Sequence, residues 1–401
     1  MSKNAIVGQS GGPTAAINAT LAGVIEGCLK EQEIDILYGA VHGIDGLLKE
    51  NLINLTNIFE NHDDLELLKV TPSSYLGSCR YRLKDDEVDS VFEVFKKFNI
   101  GYFFYIGGND SMDTVAKLSK KADEYGVKVI GVPKTIDNDL FGTDHCPGFG
   151  SASKYIATSI MEITRDCTCY DLNSVTIVEI MGRNAGWLTA ASALARCNGN
   201  TTPDLIYLPE RPFIKENFLK DVKEMIDKKH SIVVAISEGI RDENGVYISE
   251  QSADFKGDSF GHGQLGGAGK ALEELVKATL HCKARSIEIN LPQRCAAHML
   301  SKTDIDLSVE IGNSAVKSAI DGKSCVMMAY KHKGTSPFSA EIVSVDIKGI
   351  ANEENKVPDN FISAEGNDVT DEFISYALPL IQGEIKIPME NGLPLHLIRK
   401  V

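Results

Sequence analysis

The sequence lacks any excess of positive charge. Its 41 lysines and arginines are outnumbered by 56 aspartates and glutamates, so the net charge is −15 over 401 residues. Such a balance repels a nucleic-acid backbone and an anionic membrane surface, and we therefore expect neither as a partner. An anionic small molecule would need a local cluster of lysines and arginines against this overall field.

Long apolar runs are also absent. No stretch approaches the roughly 20 apolar residues that cross a bilayer, and the N-terminal residues enter a strand-like segment without the apolar core of a signal peptide. The nine cysteines show no paired metal-ligand spacing, because Cys167 and Cys169 have no matching pair downstream. We expect a cytoplasmic protein with reduced, mostly buried thiols.

The sequence contains no low-complexity tract, no long run of one charge and no repeat of short period, which disfavours a solenoid. At roughly 150 residues per domain, the chain is long enough for two or three domains. Its 43% hydrophobic content is that of a globular protein. No Pro/Ser-rich linker marks a boundary, so we expect closely apposed lobes.

What the chain does contain is an alternation of short apolar segments with stretches of helical period. Continuous apolar strands between helices are typical of parallel sheets that are covered on both faces. The pattern predicts the α/β class, with two doubly wound, mainly parallel, Rossmann-like domains. The expected strands are residues 5–7, 102–106, 127–132, 175–180, 205–208, 232–236, 286–289 and 325–329. The expected helices lie near residues 149–165, 185–197, 214–229, 268–280 and 306–321.

Glycine pairs follow two of the predicted strands, and ligands of open parallel sheets bind beyond such strand ends. The amides of Gly11 and Gly12, with the next helix N-terminus, are suited to cradle a phosphate, and a plain tight turn is the alternative. After Gly107 and Gly108, Asp110 places a carboxylate where Mg²⁺ can bridge it to phosphate oxygens. Alternatively, Asp110 or the serine after it caps the helix, although a cap does not require two glycines.

The loop at residues 133–139 is the most informative, because it brings a lysine, a threonine and two aspartates together. Asp137 and Asp139 are two positions apart, so in an extended segment their side chains point the same way. One carboxylate can then accept a proton while the other helps to hold a metal. The 23 residues between Asp110 and Lys134 leave room for one helix and one strand, so both loops are expected at the same sheet edge.

Further polar groups follow the later strands. Arg183 lies at a helix start, where a cation is electrostatically unfavourable, and this indicates a function in anion binding. Glu238 closes another strand and is suited to hydrogen-bond a polyol. Arg285 and Arg294 offer guanidinium groups that match a phosphate. Each of these residues alone is typical of a solvent-exposed surface.

Taken together, these segments resemble the phosphofructokinase family over about residues 4–330. The Thr-Ile-Asp-Asn-Asp sequence is highly specific, whereas Gly-Gly-Asn-Asp also resembles turns of NAD kinases and diacylglycerol-kinase-like proteins. The matching segments, in the family's order, are residues 10–12, 76–80, 107–111, 133–139, 178–183 and 293–294.

The resemblance implies a phosphoryl-donor-binding domain made of residues 1–145 and about 295–335. It implies a sugar-phosphate-binding domain at residues 146–294, with the active site in the cleft between the two domains. Residues 336–401, in which we identify no family motif, are expected to form a C-terminal extension that packs on both lobes. The family resemblance also implies a homo-oligomer, either a dimer or a tetramer, that acts on fructose 6-phosphate with Mg²⁺.

The resemblance also implies a role for each matching residue. Asp137 is implied as the general base that takes the proton of the sugar 1-hydroxyl, and Asp110, with Asn109 as a further candidate, as the Mg²⁺ ligand. The other implied catalytic residues are Lys134, Thr135 and Arg80. The implied donor-binding residues are Gly11, Gly12, Gly108, Asp110 and Lys134. The implied sugar-phosphate residues are Thr135, Asp137, Asp139, Met181, Gly182, Arg183 and Glu238, with Arg285 and Arg294 at the 6-phosphate.

Two positions indicate the phosphoryl donor. ATP-dependent members carry glycine where this chain has Asp110 and Lys134, and this pair resembles the signature of pyrophosphate-dependent phosphofructokinases. Lys134 brings a positive charge to a leaving phosphate that has no nucleoside to anchor it. Val41 and Thr114 stand where ATP users tend to keep an aromatic residue and a glycine for adenine. The resemblance therefore implies pyrophosphate as the donor and a reversible reaction.

Three positions depart from the family's pattern. Asn109 stands where most relatives have aspartate, and Ser174 and Leu291 stand where some have an arginine and a histidine for the 6-phosphate. The alternatives are an ATP-dependent phosphofructokinase, a NAD kinase or lipid-kinase relative, and a non-catalytic sugar-phosphate-binding regulatory subunit. The sugar-site residues 181–183 disfavour the second, and retention of Asp137 disfavours the third.

Overall fold

The computed structural model describes residues 2–251, 266–350 and 353–399. The strands are β1 (Lys3–Gln9), β2 (Ile34–Ala40), β3 (Leu52–Asn54), β4 (Ile100–Gly107), β5 (Lys128–Pro133), β6 (Ser174–Ile180), β7 (Leu205–Tyr207), β8 (Ser231–Ser237), β9 (Lys283–Glu288), β10 (Val326–Thr335), β11 (Phe338–Asp346), β12 (Met389–Glu390) and β13 (Leu393–Pro394). The α-helices are α1 (Ile17–Lys30), α2 (Gly43–Leu48), α3 (Leu55–Ile58), α4 (His62–Lys69), α5 (Val88–Lys97), α6 (Asn109–Ser119), α7 (Ala122–Tyr125), α8 (Phe149–Cys167), α9 (Trp187–Ala191), α10 (Lys215–Lys228), α11 (Ala268–Leu280), α12 (Pro292–Cys295), α13 (Lys302–Ile320) and α14 (Asp371–Ala377). Within these described ranges, no helix has the length and apolar character needed to cross a membrane.

The chain folds into two compact units, as the strand and helix alternation predicts. The first contains Met1–Ser151, Arg294–Glu354 and Leu380–Val401, and the second contains Ala152–Gln293 and Asn355–Pro379. The chain therefore passes between the units several times, and the C-terminal residues are divided between them.

The first unit is built on a seven-stranded sheet of order β11-β10-β5-β4-β1-β2-β3. The five strands from β10 to β2 run parallel, and β11 and β3 lie antiparallel at the two edges. Gly107 lies opposite Pro133, and Gln9 lies opposite Ile106, so the loops after β1, β4 and β5 share one edge of the sheet. The expectation that the Asp110 and Lys134 loops meet at one edge is confirmed.

Alternate residues of the central strands face opposite layers. Ala5 and Val7 belong to the core beneath α1 and α13, whereas Ile6 belongs to the core on the other face of the sheet. α1 and α13 cross closely, because a Cβ on Gly23 would lie 2.0 Å from the Val309 carbonyl oxygen. At the same crossing, a Cβ on Gly312 would lie 2.3 Å from the Thr20 carbonyl oxygen.

The second unit is built on a parallel four-stranded sheet of order β7-β8-β6-β9. Ile180 lies opposite Ser237 and Glu179 lies opposite Glu288, so the loops after β6, β8 and β9 share one edge. Residues 355–379 belong to this unit and place Phe361, Phe373 and Tyr376 around the ring of Trp187.

The expected strands are confirmed as β1 and β4 to β10, with β9 beginning three residues before its expected start at residue 286. The expected helices are confirmed as α8, α10, α11 and α13, but the helix near 185–197 is only α9 followed by a 3₁₀ turn at Ser192–Ala195. The outer strands of the first sheet, β2, β3 and β11, were not predicted from the sequence. These strands carry half-exposed residues and therefore lack the continuous apolar run of the central strands.

Candidate active site

Lys134 is the central side chain of the site in the first unit. It follows β5, its backbone N–H donates to the Gly107 carbonyl, and only 2% of the residue is exposed. Its ammonium Nζ donates to the carbonyl oxygen of Gly12 at 2.6 Å. Gly11 has a φ of +76°, and a Cβ at that position would lie 3.3 Å from Nζ. The Lys134 side chain therefore fills the space next to the glycine turn. A side chain at residue 11 would narrow that space.

The charge of Lys134 is poorly solvated. Burial lowers the pKa of its ammonium to about 8, and the negative charges of Asp137 and Asp139 only partly oppose this effect. The positive charge of Arg294 lowers it further. Lys134 is thus a cation at neutral pH that titrates close to the physiological range.

The two aspartates are held on a backbone that is not extended. Asn138, between them, has a φ of 57°, so the expectation that Asp137 and Asp139 point the same way along an extended segment is wrong at this residue. The left-handed conformation is supported by the Asn138 side chain, which is fully buried and accepts from the Cys146 amide at 2.8 Å. The Asp137 amide donates to Thr135 Oγ1 at 3.1 Å, which closes the turn.

The carboxyl group of Asp139 lies where a negative charge is unfavourable. Burial, and then the negative charge of Asp137, raise its pKa well above the ordinary value of an aspartate. Asn109 Nδ2 donates to Asp139 Oδ2 at 3.4 Å. The loop after β4 and the loop after β5 are thus joined through these two side chains.

The second glycine turn ends at the start of α6. Gly108 is the N-cap residue of this helix and no side chain caps it, so the alternative in which Asp110 or Ser111 serves as the cap is wrong. Asp110 is exposed, while Asn109 Oδ1 is buried and has no hydrogen-bond partner. A buried amide oxygen without a partner is suited to accept from a donor group or to bind a cation, here next to Asp110.

Arg80 belongs to a segment that lies directly on the first glycine turn. Ser78 Oγ donates to the Gly11 carbonyl at 2.6 Å, and the Gly11 amide donates to the Cys79 carbonyl at 3.5 Å. Arg80 itself is exposed. The structure therefore brings Arg80 to the same sheet edge as Gly12 and Lys134.

Arg285 and Arg294, which are predicted together as phosphate ligands, have different surroundings. A Cβ on Gly12 would lie 3.5 Å from Nη1 of Arg294, which belongs to the first unit. Arg285 lies on β9 opposite Thr176, and its Nη1 is 3.5 Å from Asp166 Oδ2. Arg285 is thus several residues away from the edge where β6 ends, on an exposed part of the second unit.

The second unit gathers the predicted sugar-site loops at its own sheet edge. The Met181 amide donates to Gln293 Oε1 at 3.2 Å, and the Gly182 amide donates to Glu238 Oε1 at 3.4 Å. Gly182 has a φ of +147°, and its carbonyl accepts from Ser237 Oγ. Arg183 is exposed beside this turn. Met181, Gly182, Arg183 and Glu238 are therefore brought together as expected.

Two glutamates at this edge, the buried Glu179 and the half-buried Glu210, were not identified from the sequence. Glu179 accepts from the amides of Gly267 and Gly269 at 3.1 and 2.7 Å, and burial raises its pKa to about 7. Glu210 Oε1 accepts from Gly186 and Val357, while its Oε2 is buried without a partner. Glu179 has a sequence signal, because it is the one charge in an apolar strand, but Glu210 has none.

The comparisons with known proteins agree with this geometry. A family model described as Phosphofructokinase matches residues 4–287. A pyrophosphate--fructose 6-phosphate 1-phosphotransferase from Halomonas elongata is 40% identical, over 98% of this chain and 94% of the relative. The chain belongs to the phosphofructokinase family.

Two solved structures are similar over their whole lengths. The pyrophosphate-dependent phosphofructokinase from Marinobacter aquaeolei has a TM-score of 0.88 and 38% identity, covering 100% of this chain and 98% of that one. The pyrophosphate-dependent phosphofructokinase from Nitrosospira multiformis has a TM-score of 0.89 and 37% identity, covering 99% and 96%. The predicted α/β class with two domains is confirmed by these structures and by the two units.

Proposed function

We propose that this chain transfers a phosphoryl group reversibly from pyrophosphate to the 1-hydroxyl of fructose 6-phosphate, giving fructose 1,6-bisphosphate and phosphate. This reaction is a step of glycolysis and gluconeogenesis. The observation that carries the proposal is the buried ammonium of Lys134 against the Gly11 and Gly12 turn. The names of relatives that match nearly the whole chain support the same activity.

The side chains of Lys134 and Asp110 explain the choice of donor. Both occupy volume that glycine would leave open, and this leaves room for a small inorganic diphosphate. The positive charge of Lys134 lies beside Gly12, where it offsets the charge that develops on the departing phosphate. An ATP-dependent member is the nearest alternative.

In the transfer step, the bond between the bridging oxygen and the transferred phosphorus breaks, and a bond from the sugar O1 to that phosphorus forms. We assign Asp137 as the base that accepts the hydroxyl proton, with phosphate as the leaving group. Thr135, which holds the Asp137 amide, and Asp139 orient the reacting groups. Arg80 and Lys134 supply cations to a transition state that needs positioning and charge stabilisation more than covalent help.

On the sugar side, Met181, Gly182, Arg183 and Glu238 are assigned to the fructose ring. Arg285 and Arg294 are assigned to the 6-phosphate. When the phosphate binds, it replaces Asp166 as the ion-pair partner of Arg285. The distance of Arg285 from the sugar-site edge supports its use by a second subunit of a homo-oligomer, whether a dimer or a tetramer.

The residues present fit Mg²⁺ bound mainly through the substrate. Among the described residues, no group of three or more histidine, cysteine, aspartate or glutamate side chains could hold a metal by itself. Magnesium usually keeps several waters and uses one or two protein oxygens with substrate phosphates. Asp110 and the unpaired Asn109 Oδ1 would hold it, and the ion would neutralise charge on the pyrophosphate oxygens.

We place the enzyme in the cytoplasm. All nine cysteines are free thiols in the structure, and six of them are buried or half-buried: Cys28, Cys79, Cys146, Cys167, Cys282 and Cys325. The acidic composition supports the expectation of no nucleic-acid and no membrane partner.

A coupled assay with fructose 6-phosphate tests the donor. Pyrophosphate should support turnover and ATP should not, and equal rates with both would overturn the donor assignment. Asp137→Ala should abolish turnover while fructose 6-phosphate affinity is largely retained. Binding of fructose 6-phosphate by the wild-type chain without any turnover would instead favour the regulatory-subunit alternative.

A further inference from the structure

The last described residues of the chain lie beside the segment that leads to Arg80. The Leu397 amide donates to Thr71 Oγ1 at 2.9 Å, and Arg399 Nη1 donates to the Leu76 carbonyl at 3.1 Å. The Leu397 side chain packs against the core beneath α1. This tail, residues 395–399, therefore lies on the first unit. The residues that it hydrogen-bonds are more than 300 positions earlier in the chain.

Leu76 is a fixed point of that segment. Its side chain is fully buried, and its amide donates to Gln9 Oε1 at 2.9 Å. Its carbonyl accepts from the His42 amide at 2.9 Å as well as from Arg399. A carbonyl oxygen has two lone pairs, and at Leu76 both are used.

The residues after Leu76 reach the glycine turn directly. Two residues on, Ser78 Oγ donates to the Gly11 carbonyl at 2.6 Å, and Cys79 accepts from the Gly11 amide. The next residue is Arg80. A rotation of the Leu76 peptide would therefore displace both the backbone of Gly11 and the cation of Arg80.

We propose that Arg399 is a positioning residue for the phosphoryl donor. Its guanidinium orients the Leu76 peptide, and through residues 76–80 it sets Gly11 and Arg80 for pyrophosphate. The inference rests on the proposed function, because it assigns pyrophosphate to that turn. It extends the donor site to a C-terminal residue that has no place in the family motifs quoted above.

The variants Arg399→Ala and Arg399→Lys test this role, with Lys386→Ala as the matched control, since Lys386 is an exposed cation of the same C-terminal region. Removing a charged donor should raise the KM for pyrophosphate about three- to tenfold. The KM for fructose 6-phosphate and the melting temperature should not change. Lysine can still donate to a carbonyl, so Arg399→Lys should restore most of the affinity, and Lys386→Ala should behave as wild type.

An unchanged pyrophosphate KM in Arg399→Ala would overturn the inference. So would a rise in both KM values together with a lower melting temperature, because that result indicates a structural role. Wild-type turnover is measured first, and failure to use pyrophosphate at all would reject the proposed function. Calorimetry then measures the affinity of the wild type and of Arg399→Ala for pyrophosphate, which tests the positioning role separately. Equal affinities would overturn it.

Discussion

At the scale of single residues, Lys134 determines most of the chemistry of the donor site. Its ammonium is buried, hydrogen-bonded to one carbonyl and surrounded by charges of both signs. A lysine at ordinary pKa would be protonated throughout the physiological range. Here burial makes the charge itself dependent on pH, so activity is expected to depend on pH in a defined direction.

Because the pKa of Lys134 is lowered to about 8, the free enzyme loses this cation as the pH rises above that value. We expect kcat/KM for pyrophosphate to decrease about tenfold per pH unit above the break. In the kcat profile the break should move to higher pH, since bound phosphate favours the charged form. Lys134→Gln should lower kcat/KM and lose the break, and a profile that keeps it would assign the titration to another group.

At the scale of elements, the crossing of α1 and α13 depends on small residues. Gly312→Ala would place a Cβ 2.3 Å from the Thr20 carbonyl oxygen, so the helices must separate. We expect a loss of about 1–3 kcal/mol in the free energy of unfolding, as for other overpacked cores. Urea denaturation measures it, with the exposed Lys317→Ala on the same helix as control, and no loss of stability in Gly312→Ala would contradict the described crossing.

The loop after the aspartates is joined to β10 through two histidines. His145 Nδ1 lies 2.8 Å from His332 Nε2, and the buried His145 ring stacks on Tyr330 at a centroid distance of 4.1 Å. Burial lowers the pKa of both imidazoles, while the negative charge of Asp144, which accepts from the His332 amide, opposes the effect at His332. The neutral rings are therefore the form that the folded loop prefers.

Unfolded histidines titrate near pH 6.5, at about the ordinary value. Below that pH the unfolded chain binds more protons than the folded chain, so stability is present above it and lost as the pH falls. We expect the free energy of unfolding to decrease from about pH 7 to pH 5, and His332→Gln to weaken this dependence. Denaturation at several pH values checks it, with the exposed His62→Gln as control, and an identical slope in His332→Gln would contradict this explanation.

At the scale of the whole molecule, the C-terminal residues belong to the fold of both units. Residues 355–379 contribute α14 and an aromatic group to the second unit, and the fully buried Phe373 lies 5.9 Å from the ring of Phe361. Arg196 pairs with Asp368 at 2.9 Å in the same unit. These contacts make the segment part of the core of the second unit.

Phe373→Ala should therefore destabilise the protein by about 3–5 kcal/mol, the usual cost of removing a buried aromatic ring. Ser375→Ala, at an exposed position of the same helix, should change stability little. Chemical denaturation of both variants measures the difference. A Phe373→Ala variant as stable as the Ser375→Ala control would mean that residues 355–379 are peripheral to the second unit.

Much of the candidate site could be predicted because its signals are local. The glycine pairs after apolar strands and the aspartates beside Lys134 are short-range patterns. They indicate a site because ligands of parallel sheets bind where strands end. For the same reason the central strands were found. The outer strands β2, β3 and β11 were not, since their half-exposed residues carry no continuous apolar run.

The sequence by itself determined the α/β class, the central strands and the residue types at the sheet edges, because periodicity and turn chemistry depend on neighbours along the chain. Only the tertiary structure decided that Arg294 lies beside Gly12, that Asn138 bends the aspartate loop and that Arg399 reaches Leu76. Burial and hydrogen bonding between distant residues also decide the pKa values of Lys134 and Glu179. No pattern along the chain records contacts of that range, since they form only when the elements pack.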